Sequence, residues 1–461
     1  MKRHTLRVMG IFSLQIIGLF LLGRLLVPGA SMTNAQSNVT LEEIDLGITQ
    51  TLKGWYDDQL THTGSITYFG AYITLPVADT LYIGLGSARP AENSGDGAYF
   101  AKLITNTSPS LTGIAEPNEQ GFHEMIYDGS LIHIAGTDPM SPDDWSAGNH
   151  YTYSPGGTSI TKYRDATNGL TNVIHTWGLW KSGLTLYAAV SSYTGTPITY
   201  TGQIFTSTNN GLTWAKKSDL GGYRAYDIIG FDDDLYAIYN DKYTGVLTMT
   251  KSTDGGATWS DIITDSVRRV HIVGFNSQLI AVSFDREYLY TINISDTVTT
   301  YTLPTGYLVG ATYSDKPAYT DYNVMAVAKG YLYLIAEKQS PKEQAIIRTS
   351  NLSSWERMVH TDTLMISLSY WANEDWLVVA TPGTDAKLLK VDLSGSPTAI
   401  TLRSLQARTP TFAWLPASLV CLALIYIGLS QSIPGRKFMR RLPIDEIAAT
   451  ELAKTVLVEP P

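Results

Sequence analysis

The chain has 461 residues, of which 44% are hydrophobic and 16% are charged, with a formal net charge of −9 and a single cysteine. This composition is typical of a folded globular protein rather than a disordered one. An acidic chain lacks the basic surface that binds a phosphate backbone, so the composition argues against a nucleic-acid partner. One cysteine also excludes an internal disulfide framework.

The first 35 residues have the pattern of a secretory signal peptide. A basic start, MKRHTLR, precedes an apolar run from Val8 to Leu22, and small residues at Thr33 and Ala35 offer a cleavage site. We therefore predict a signal over residues 1–35, cleaved after Ala35. An uncleaved membrane anchor is the alternative, and Arg24 with the apolar residues after it favours that alternative.

A second apolar segment lies near the other end of the chain. Residues 412–433 carry no charge, and their 22 residues, at about 1.5 Å each, are long enough for one helix across a layer of about 30 Å. A basic cluster follows at positions 436–441, and the positive-inside bias places such clusters in the cytoplasm. We predict one transmembrane helix over 412–433 and a short cytoplasmic tail over 434–461.

Both ends of the chain indicate a single-pass protein of the cell membrane whose N-terminal domain, residues 36–411, is extracellular. Nine of the 33 basic residues and four of the 42 acidic residues lie outside that domain, which leaves it 24 and 38 and a net charge of −14. Such a surface favours solubility and repels anionic polymers.

A strand pattern recurs along this domain at a mean spacing of about 49 residues, the period of a propeller or solenoid. Its copies are centred on Leu81, Leu131, Leu186, Leu235, Leu279, Leu332 and Trp376. Most follow another strand across a polar turn, as in IIGFDDDLYAI, which predicts hairpins. We predict an all-β domain, a single β-propeller of seven blades, with six or eight left open. The stretch before Trp55 and the strands before Arg408 are expected to close the ring.

Two copies carry a more specific motif, STNNGLTW and STDGGATW, whose tryptophans are 45 residues apart. The motif resembles the Asp-box, or BNR, repeat of the sialidase-type β-propeller superfamily. The resemblance assigns structural turn positions, which are Ser207, Asn209, Gly211, Trp214, Ser252, Asp254, Gly256 and Trp259. A shortened copy stands at Thr349, Asn351 and Trp355. The resemblance implies the fold and assigns these residues to blade stability rather than to catalysis.

The resemblance does not extend to a sialidase active site. Sialidases grip the substrate carboxylate with arginines, the first of them in a Phe/Tyr-Arg-Ile/Leu-Pro motif, and this chain lacks that motif. Other glycoside hydrolases need only two carboxylates about 5 to 10 Å apart. Candidate carboxylates are Glu124, Asp143 and Asp144, the last two within a long insert of the second repeat.

Polar residues recur at the start of four successive hairpins. They are His123, His175, Asp227 and His271, spaced by 52, 52 and 44 residues. Equivalent positions in a closed ring lie at one level around its axis, where three imidazoles and a carboxylate offer ligands for a divalent metal or a polar molecule. A structural role is favoured, because residues on separate blades are usually too far apart to share one ion.

The sequence thus indicates a membrane-anchored, cell-surface β-propeller that acts as a binding or scaffolding module for a glycan or a protein partner. A glycoside hydrolase other than a sialidase, built on the same scaffold, is the alternative. Two close carboxylates with exposed aromatic side chains in one cleft would favour the enzyme, and a shallow face without such a pair would favour binding. No cofactor is assigned.

Overall fold

The computed structural model describes twelve ranges of the chain, which are 31–34, 39–59, 69–86, 98–105, 108–117, 119–137, 149–162, 168–170, 172–194, 199–240, 247–311 and 323–395. All of them belong to one compact unit, residues 1–400. Within these ranges no helix is long and apolar enough to cross a membrane. The predicted span at 412–433 lies outside them, as do residues 1–30 and Ala35 of the predicted signal peptide.

The described strands form seven antiparallel units of four strands each, taken in chain order. The first three units contain β3 (Gly70–Val77), β4 (Thr80–Gly86), β5 (Tyr99–Ile104) and β6 (Ser110–Ala115); β7 (Gly121–Tyr127), β8 (Ile132–Thr137), β9 (Asn149–Tyr153) and β10 (Thr161–Lys162); and β11 (Val173–Ser182), β12 (Thr185–Thr194), β13 (Thr199–Ser207) and β14 (Ala215–Asp219). A single pair, His175 with Thr137, joins the second and third units into one sheet.

The other four units follow the same order. They contain β15 (Arg224–Phe231), β16 (Asp234–Asn240), β17 (Leu247–Ser252) and β18 (Ser260–Val267); β19 (Val273–Phe275), β20 (Gln278–Val282), β21 (Tyr288–Asn293) and β22 (Val298–Thr302); β24 (Met325–Ala328), β25 (Tyr331–Gln339), β26 (Lys342–Thr349) and β27 (Ser354–Thr361); and β28 (Ser367–Trp371), β29 (Trp376–Ala380), β30 (Leu388–Asp392) and β2 (Glu42–Glu43). Two further strands extend the sixth unit, β1 (Ser31–Asn34) on β27 and β23 (Tyr307–Val309) on β25.

The units close into a ring, which is the architecture of a β-propeller. The seventh unit takes its outer strand from the start of the chain, since Glu42 and Glu43 of β2 pair with Lys390 and Leu389 of β30. Its inner strand β28 then meets the inner strand of the first unit, where Ser367 Oγ donates to the Ala71 carbonyl at 3.1 Å. Strands from both ends of the chain therefore close the sheet edges, as the sequence predicted.

The predicted hairpins are present and their turns have the conformation that twisted strands require. Asp232 and Asp233 have φ values of 51° and 68°, and Asn276 and Ser277 have values of 50° and 59°. Two consecutive residues at positive φ make a type I′ turn, whose twist matches that of the strands it joins. The first two residues of the acidic run at 232–234 thus form the turn, and Asp234 begins β16.

The hydrophobic core lies between neighbouring units rather than within one sheet. Between the first two units, for example, the side chains of Phe100, Phe122, Ile134 and Tyr151 pack together and are completely buried. Each sheet packs against a neighbour on both of its faces. The residues of its middle strands are therefore almost all apolar, because both faces are buried. Removal of this surface from water stabilises each unit only in the presence of the next.

One helix lies in the stretch before the first unit, where the sequence predicted no helix. Helix α1 (Leu52–Gln59) begins at Thr51, whose Oγ1 accepts the Gly54 amide at 3.0 Å as an N-cap. Its residues Trp55 and Tyr56 are buried, with the Tyr56 ring 4.6 Å from that of Phe69. The helix thus fills space beside the first unit with aromatic side chains.

The two motif turns have the same internal hydrogen bonds. In the turn after β17, Asp254 Oδ1 accepts the Ser252 hydroxyl at 2.8 Å and the Thr258 amide at 2.9 Å, and Gly256 has a φ of 86°. In the turn after β13, Asn209 Oδ1 accepts the Ser207 hydroxyl and the Thr213 amide, both at 2.9 Å. Asparagine therefore replaces aspartate without loss of the turn, because both contacts use a side-chain oxygen that accepts.

The turn after β26 is a shortened version of these two. Asn351 Oδ1 accepts the Ser353 and Ser354 amides at 3.0 and 2.8 Å, and Trp355 is buried. Leu352 takes the positive-φ position that glycine holds in the other two turns, at 62°. The side chain that follows the turn packs inward in the same way.

A buried polar chain connects the second and third units. Asp128 bonds to Lys181 of the third unit, and Asp128 Oδ2 lies 3.1 Å from Nε2 of His133. Nδ1 of His133 lies in turn 3.1 Å from Nε2 of His150, whose ring meets that of Trp214 edge to face. Burial lowers the pKa of both imidazoles, against the effect of Asp128 on the pKa of His133.

We expect Gly211→Ala to destabilise the protein far more than the matched change Gly156→Ala. Both glycines have a φ near 85°, but a Cβ at Gly211 would lie 2.1 Å from the His150 ring, whereas one at Gly156 would meet no atom within 4 Å. The control should cost about 1 kcal/mol of unfolding free energy for its φ alone, and Gly211→Ala about 3 kcal/mol. Equal values in urea denaturation would show that the His150 ring moves aside.

Acidification is expected to destabilise the fold through His133 and His150. Because their pKa values are lowered from 6.5 in the folded state, the unfolded chain binds protons first. Their contribution to stability is therefore present above about pH 6.5 and is lost as the pH falls toward the folded values. Thermal denaturation at about pH 7.5 and 5.5 should show a smaller loss in His150→Gln than in the wild type, and an unchanged loss in the control His360→Gln, an exposed imidazole.

Candidate functional site

The candidate site is built by extra residues in the inner strands of the first four units. The pairing of each inner strand with its neighbour shifts by one residue at Tyr72, His123, Trp177 and Tyr226, and β11 has a second such shift at Ile174. Such β-bulges turn a side chain out of its regular alternation and bend the strand. All four bulges lie near the start of an inner strand, so they share one end of the ring.

The four bulged side chains form a continuous arc. Ring centroids are 5.2 Å apart from Tyr72 to His123, 5.2 Å from His123 to Trp177 and 5.4 Å from Trp177 to Tyr226. His175 also stacks on Trp177, with ring centroids 4.7 Å apart. These distances are typical of attractive aromatic contacts, and all five side chains are buried. The arc therefore forms a rigid wall on one side of the axis.

A carboxylate–imidazole–carboxylate cluster lies next to this arc. His271, just before β19, has its Nδ1 2.8 Å from Glu124 Oε2 and 3.4 Å from Asp227 Oδ1. The three residues come from the fifth, second and fourth units, so Glu124 reaches across the ring. Their side chains are 6 to 12% exposed. Among the described residues, this is the only set of three metal-ligating side chains whose ligand atoms all lie within 4.8 Å of one another.

Backbone amides hold both carboxylates in place. Asp227 Oδ1 accepts the Ile228 amide at 2.8 Å, and Asp227 Oδ2 accepts the Ile272 amide of the next unit at 2.7 Å. Glu124 Oε1 accepts the Met125 amide at 3.1 Å. Asp227 thus ties the fourth unit to the fifth, and both carboxylates have their orientation fixed by the main chain.

The electrostatics of the cluster favour a charged imidazole. Burial by itself would lower the pKa of His271, but the carboxylates of Glu124 and Asp227 hold that pKa well above its ordinary value. Burial raises the pKa of Glu124, against the effect of His271. His123 behaves in the opposite way, because burial and the positive charges of Arg269, His271 and His175 keep its pKa well below the usual value.

Two arginines lie over the aromatic arc. The Arg269 guanidinium is 5.3 Å from the centroid of the Trp177 ring and 5.0 Å from that of Tyr226, and Arg224 is 5.8 Å from the Trp177 ring. Arg224 also lies 5.0 Å from the ring of Tyr223, which meets Tyr200 at 4.8 Å. We call the partly exposed residues Tyr200, Tyr223, Arg224 and Arg269 the arginine–aromatic surface.

The strand register corrects the equivalence that the sequence spacing implied. Spacing aligned Asp227 with His123, but the bulges make His123 equivalent to Tyr226 and make Asp227 equivalent to Glu124. His175 lies two residues before the bulged position of its own strand. Repeat spacing does not reveal where a strand contains an inserted residue. The alignment of the four hairpins by spacing was therefore wrong by one residue at Asp227.

The structure brings some candidate residues together and separates others. Asp227 and His271 of the predicted ring join Glu124, the candidate catalytic carboxylate, whereas His123 and His175 belong to the aromatic arc. Asp143 and Asp144 lie outside the described residues. The arginine–aromatic surface was missed, although the sequence Tyr223-Arg224-Ala225-Tyr226 marks it as an unusual aromatic and basic run at a strand start.

Comparison with known proteins gives structural likeness only. No family model and no curated protein matches the sequence. The fold is similar to that of a streptogramin B lyase, with a TM-score of 0.49 and 13% identity over 78% of this chain and 99% of the lyase. It is also similar to a catalytically inactive virginiamycin B lyase from Staphylococcus aureus, solved with quinupristin, with a TM-score of 0.47 and 13% identity over 77% and 99% of the two chains.

A protein of unknown function from Dyadobacter fermentans is similar as well, with a TM-score of 0.42 and 11% identity over 71% of this chain and 94% of that one. Likenesses at this level of identity concern the fold, and function depends on the site rather than on the fold.

We expect Asp227→Ala to lower the free energy of unfolding by about 3 kcal/mol, because it leaves two buried backbone amides without their acceptor and removes a carboxylate from His271. Asp227→Asn keeps one acceptor oxygen and should cost less. Urea denaturation of the two variants measures the difference. Equal costs would mean that the amide contacts of Asp227 contribute little to holding the fourth and fifth units together.

Proposed function

We propose that this protein is a membrane-anchored, cell-surface β-propeller of seven blades that binds a glycan at its arginine–aromatic surface. The seven four-stranded units are its blades, and the two motif turns are Asp-box turns that stabilise the third and fourth of them. The observation that carries the proposal is the position of two arginines and several aromatic rings beside the carboxylate–imidazole–carboxylate cluster, at one end of the ring.

Aromatic faces and guanidinium groups are a chemically suitable surface for a saccharide. Aromatic rings stack on the apolar faces of sugar rings, and a guanidinium donates several hydrogen bonds from a fixed plane. The rings of Tyr223 and Tyr200 are partly exposed, whereas Trp177 and Tyr226 are buried beneath the arginines. The surface is therefore supported from below, so that ligand binding orders few side chains.

A glycoside hydrolase is the second candidate, and a specific observation favours it. Glu124 and Asp227 have carboxylate oxygens within 4.8 Å of each other, close to the separation of about 5 Å used by retaining enzymes. Against this assignment, both oxygens of Asp227 accept backbone amides and His271 lies between the two carboxylates. The cluster is better suited to holding a charged group than to attacking a sugar.

We expect Arg269→Ala to weaken binding of the preferred glycan at least about 10-fold, through the loss of a guanidinium at the centre of the surface. The matched control is Lys390→Ala, which removes another cation over an aromatic ring, 4.0 Å from the Trp376 centroid and in the seventh unit. Full-length protein in detergent is screened on a glycan array to find the ligand, and both variants are then titrated with it.

The same preparation is assayed with a panel of chromogenic glycosides. Binding without turnover supports the module. Turnover that is abolished in Glu124→Gln would establish the hydrolase instead. Equal glycan affinities of Arg269→Ala and Lys390→Ala would show that the glycan does not bind at the arginine–aromatic surface.

A further inference from the structure

We infer that Glu124, Asp227 and His271 form a binding site for one divalent first-row transition ion, with Mn²⁺ and Zn²⁺ as the chemically suitable choices. The inference is independent of glycan binding, because it concerns the carboxylate–imidazole–carboxylate cluster and not the arginine–aromatic surface. It also changes the predicted ligand set. Glu124 replaces His123 and His175, both of which stack in the aromatic arc.

The donor atoms already have a suitable spacing. Ligands about 2.0 to 2.2 Å from one ion are roughly 2.8 to 3.6 Å apart when the angles at the ion are near 90 to 110°. Nδ1 of His271 lies 2.8 Å from Glu124 Oε2 and 3.4 Å from Asp227 Oδ1, so two of the three donor pairs have this spacing. The third pair, between the carboxylates, lies within 4.8 Å.

The donors converge although they come from three different units. Residues on separate blades are usually too far apart to share one ion. Glu124 is an exception, because its long side chain extends from the second unit to His271 of the fifth. Asp227 is already close to His271, because Asp227 Oδ2 accepts the amide of Ile272, the residue after His271.

The charges of the cluster also match those of a divalent ion. A divalent ion with a neutral imidazole balances both carboxylates. The backbone amides on Glu124 Oε1 and on both Asp227 oxygens would then orient the ligands, as outer hydrogen bonds commonly do in metal sites.

The donor set selects the class of ion. The set combines two carboxylate oxygens with one imidazole nitrogen. Mn²⁺ and Zn²⁺ accept such a mixed set, whereas Ca²⁺ takes oxygen ligands. Three protein ligands leave at least one coordination position for water or a ligand. The side chains of Glu124 and His271 keep 12 and 11% of their surface exposed, which provides a route for the ion.

The test uses Co²⁺ as a spectroscopic probe of full-length protein in detergent, after treatment with a chelator. We expect a visible d–d absorption band that saturates at one equivalent of Co²⁺ and is displaced by Zn²⁺. Glu124→Gln and His271→Gln should each weaken Co²⁺ binding at least about 10-fold. The matched control is Glu119→Gln, another buried carboxylate, whose partner Tyr151 can still donate to the amide oxygen, and it should change the affinity less than about 2-fold.

The absence of a saturable band in the wild type would overturn the inference, even if the ligand variants fail to fold. Affinities unchanged in both ligand variants would overturn it as well. Because the probe is the metal alone, neither result depends on the glycan, and a failed glycan screen leaves the metal measurement decisive.

Discussion

The inner-strand bulges are the constraint on which the candidate site depends. A regular strand would alternate its side chains between the two faces of its sheet, and both faces are buried against neighbouring units. One extra residue breaks the alternation at the same level in four units and directs Tyr72, His123, Trp177 and Tyr226 along the axis. The residue after each bulge then resumes the ladder, which places Glu124 and Asp227 at equivalent positions beside His271.

The cost of gathering charged groups at the axis is offset by contacts that also join the units. Asp227 accepts amides from the fourth and fifth units, and Glu124 of the second unit contacts His271 of the fifth, so the cluster stabilises the ring as well as forming a site. A similar arrangement recurs at the opposite end, where Asp128, Lys181 and two buried histidines connect the second and third units. Both of these buried polar groups thus lie at boundaries between units.

Much of the fold could be predicted from the sequence because repeats and turns are local patterns. The seven strand motifs correspond to the second strands of the described units, and the Asp-Asp and Asn-Ser pairs form the expected turns. The motif residues Ser252 and Asp254 make the contacts that their chemistry suggests. Helix α1 was missed because it is only 8 residues long, with a hydrophobic pattern too short to distinguish from a strand.

The site was only partly predictable. Asp227 and His271 were singled out in one set and Glu124 in another, because repeat spacing gives the level of a residue on its strand and not the reach of its side chain. Arg269 and Trp177 were missed, since nothing local marks an arginine and a tryptophan 92 positions apart as neighbours.

By itself, the sequence determined the repeat, the turns and the charge of residues 36–411, and it predicted the two apolar segments outside that range, because these depend on composition and on residues close together in the chain. The tertiary structure alone decided which polar residues meet. Ring closure brings residues of distant units together, and the bulges in the inner strands change which side chains meet there. The carboxylate–imidazole–carboxylate cluster is the consequence of both.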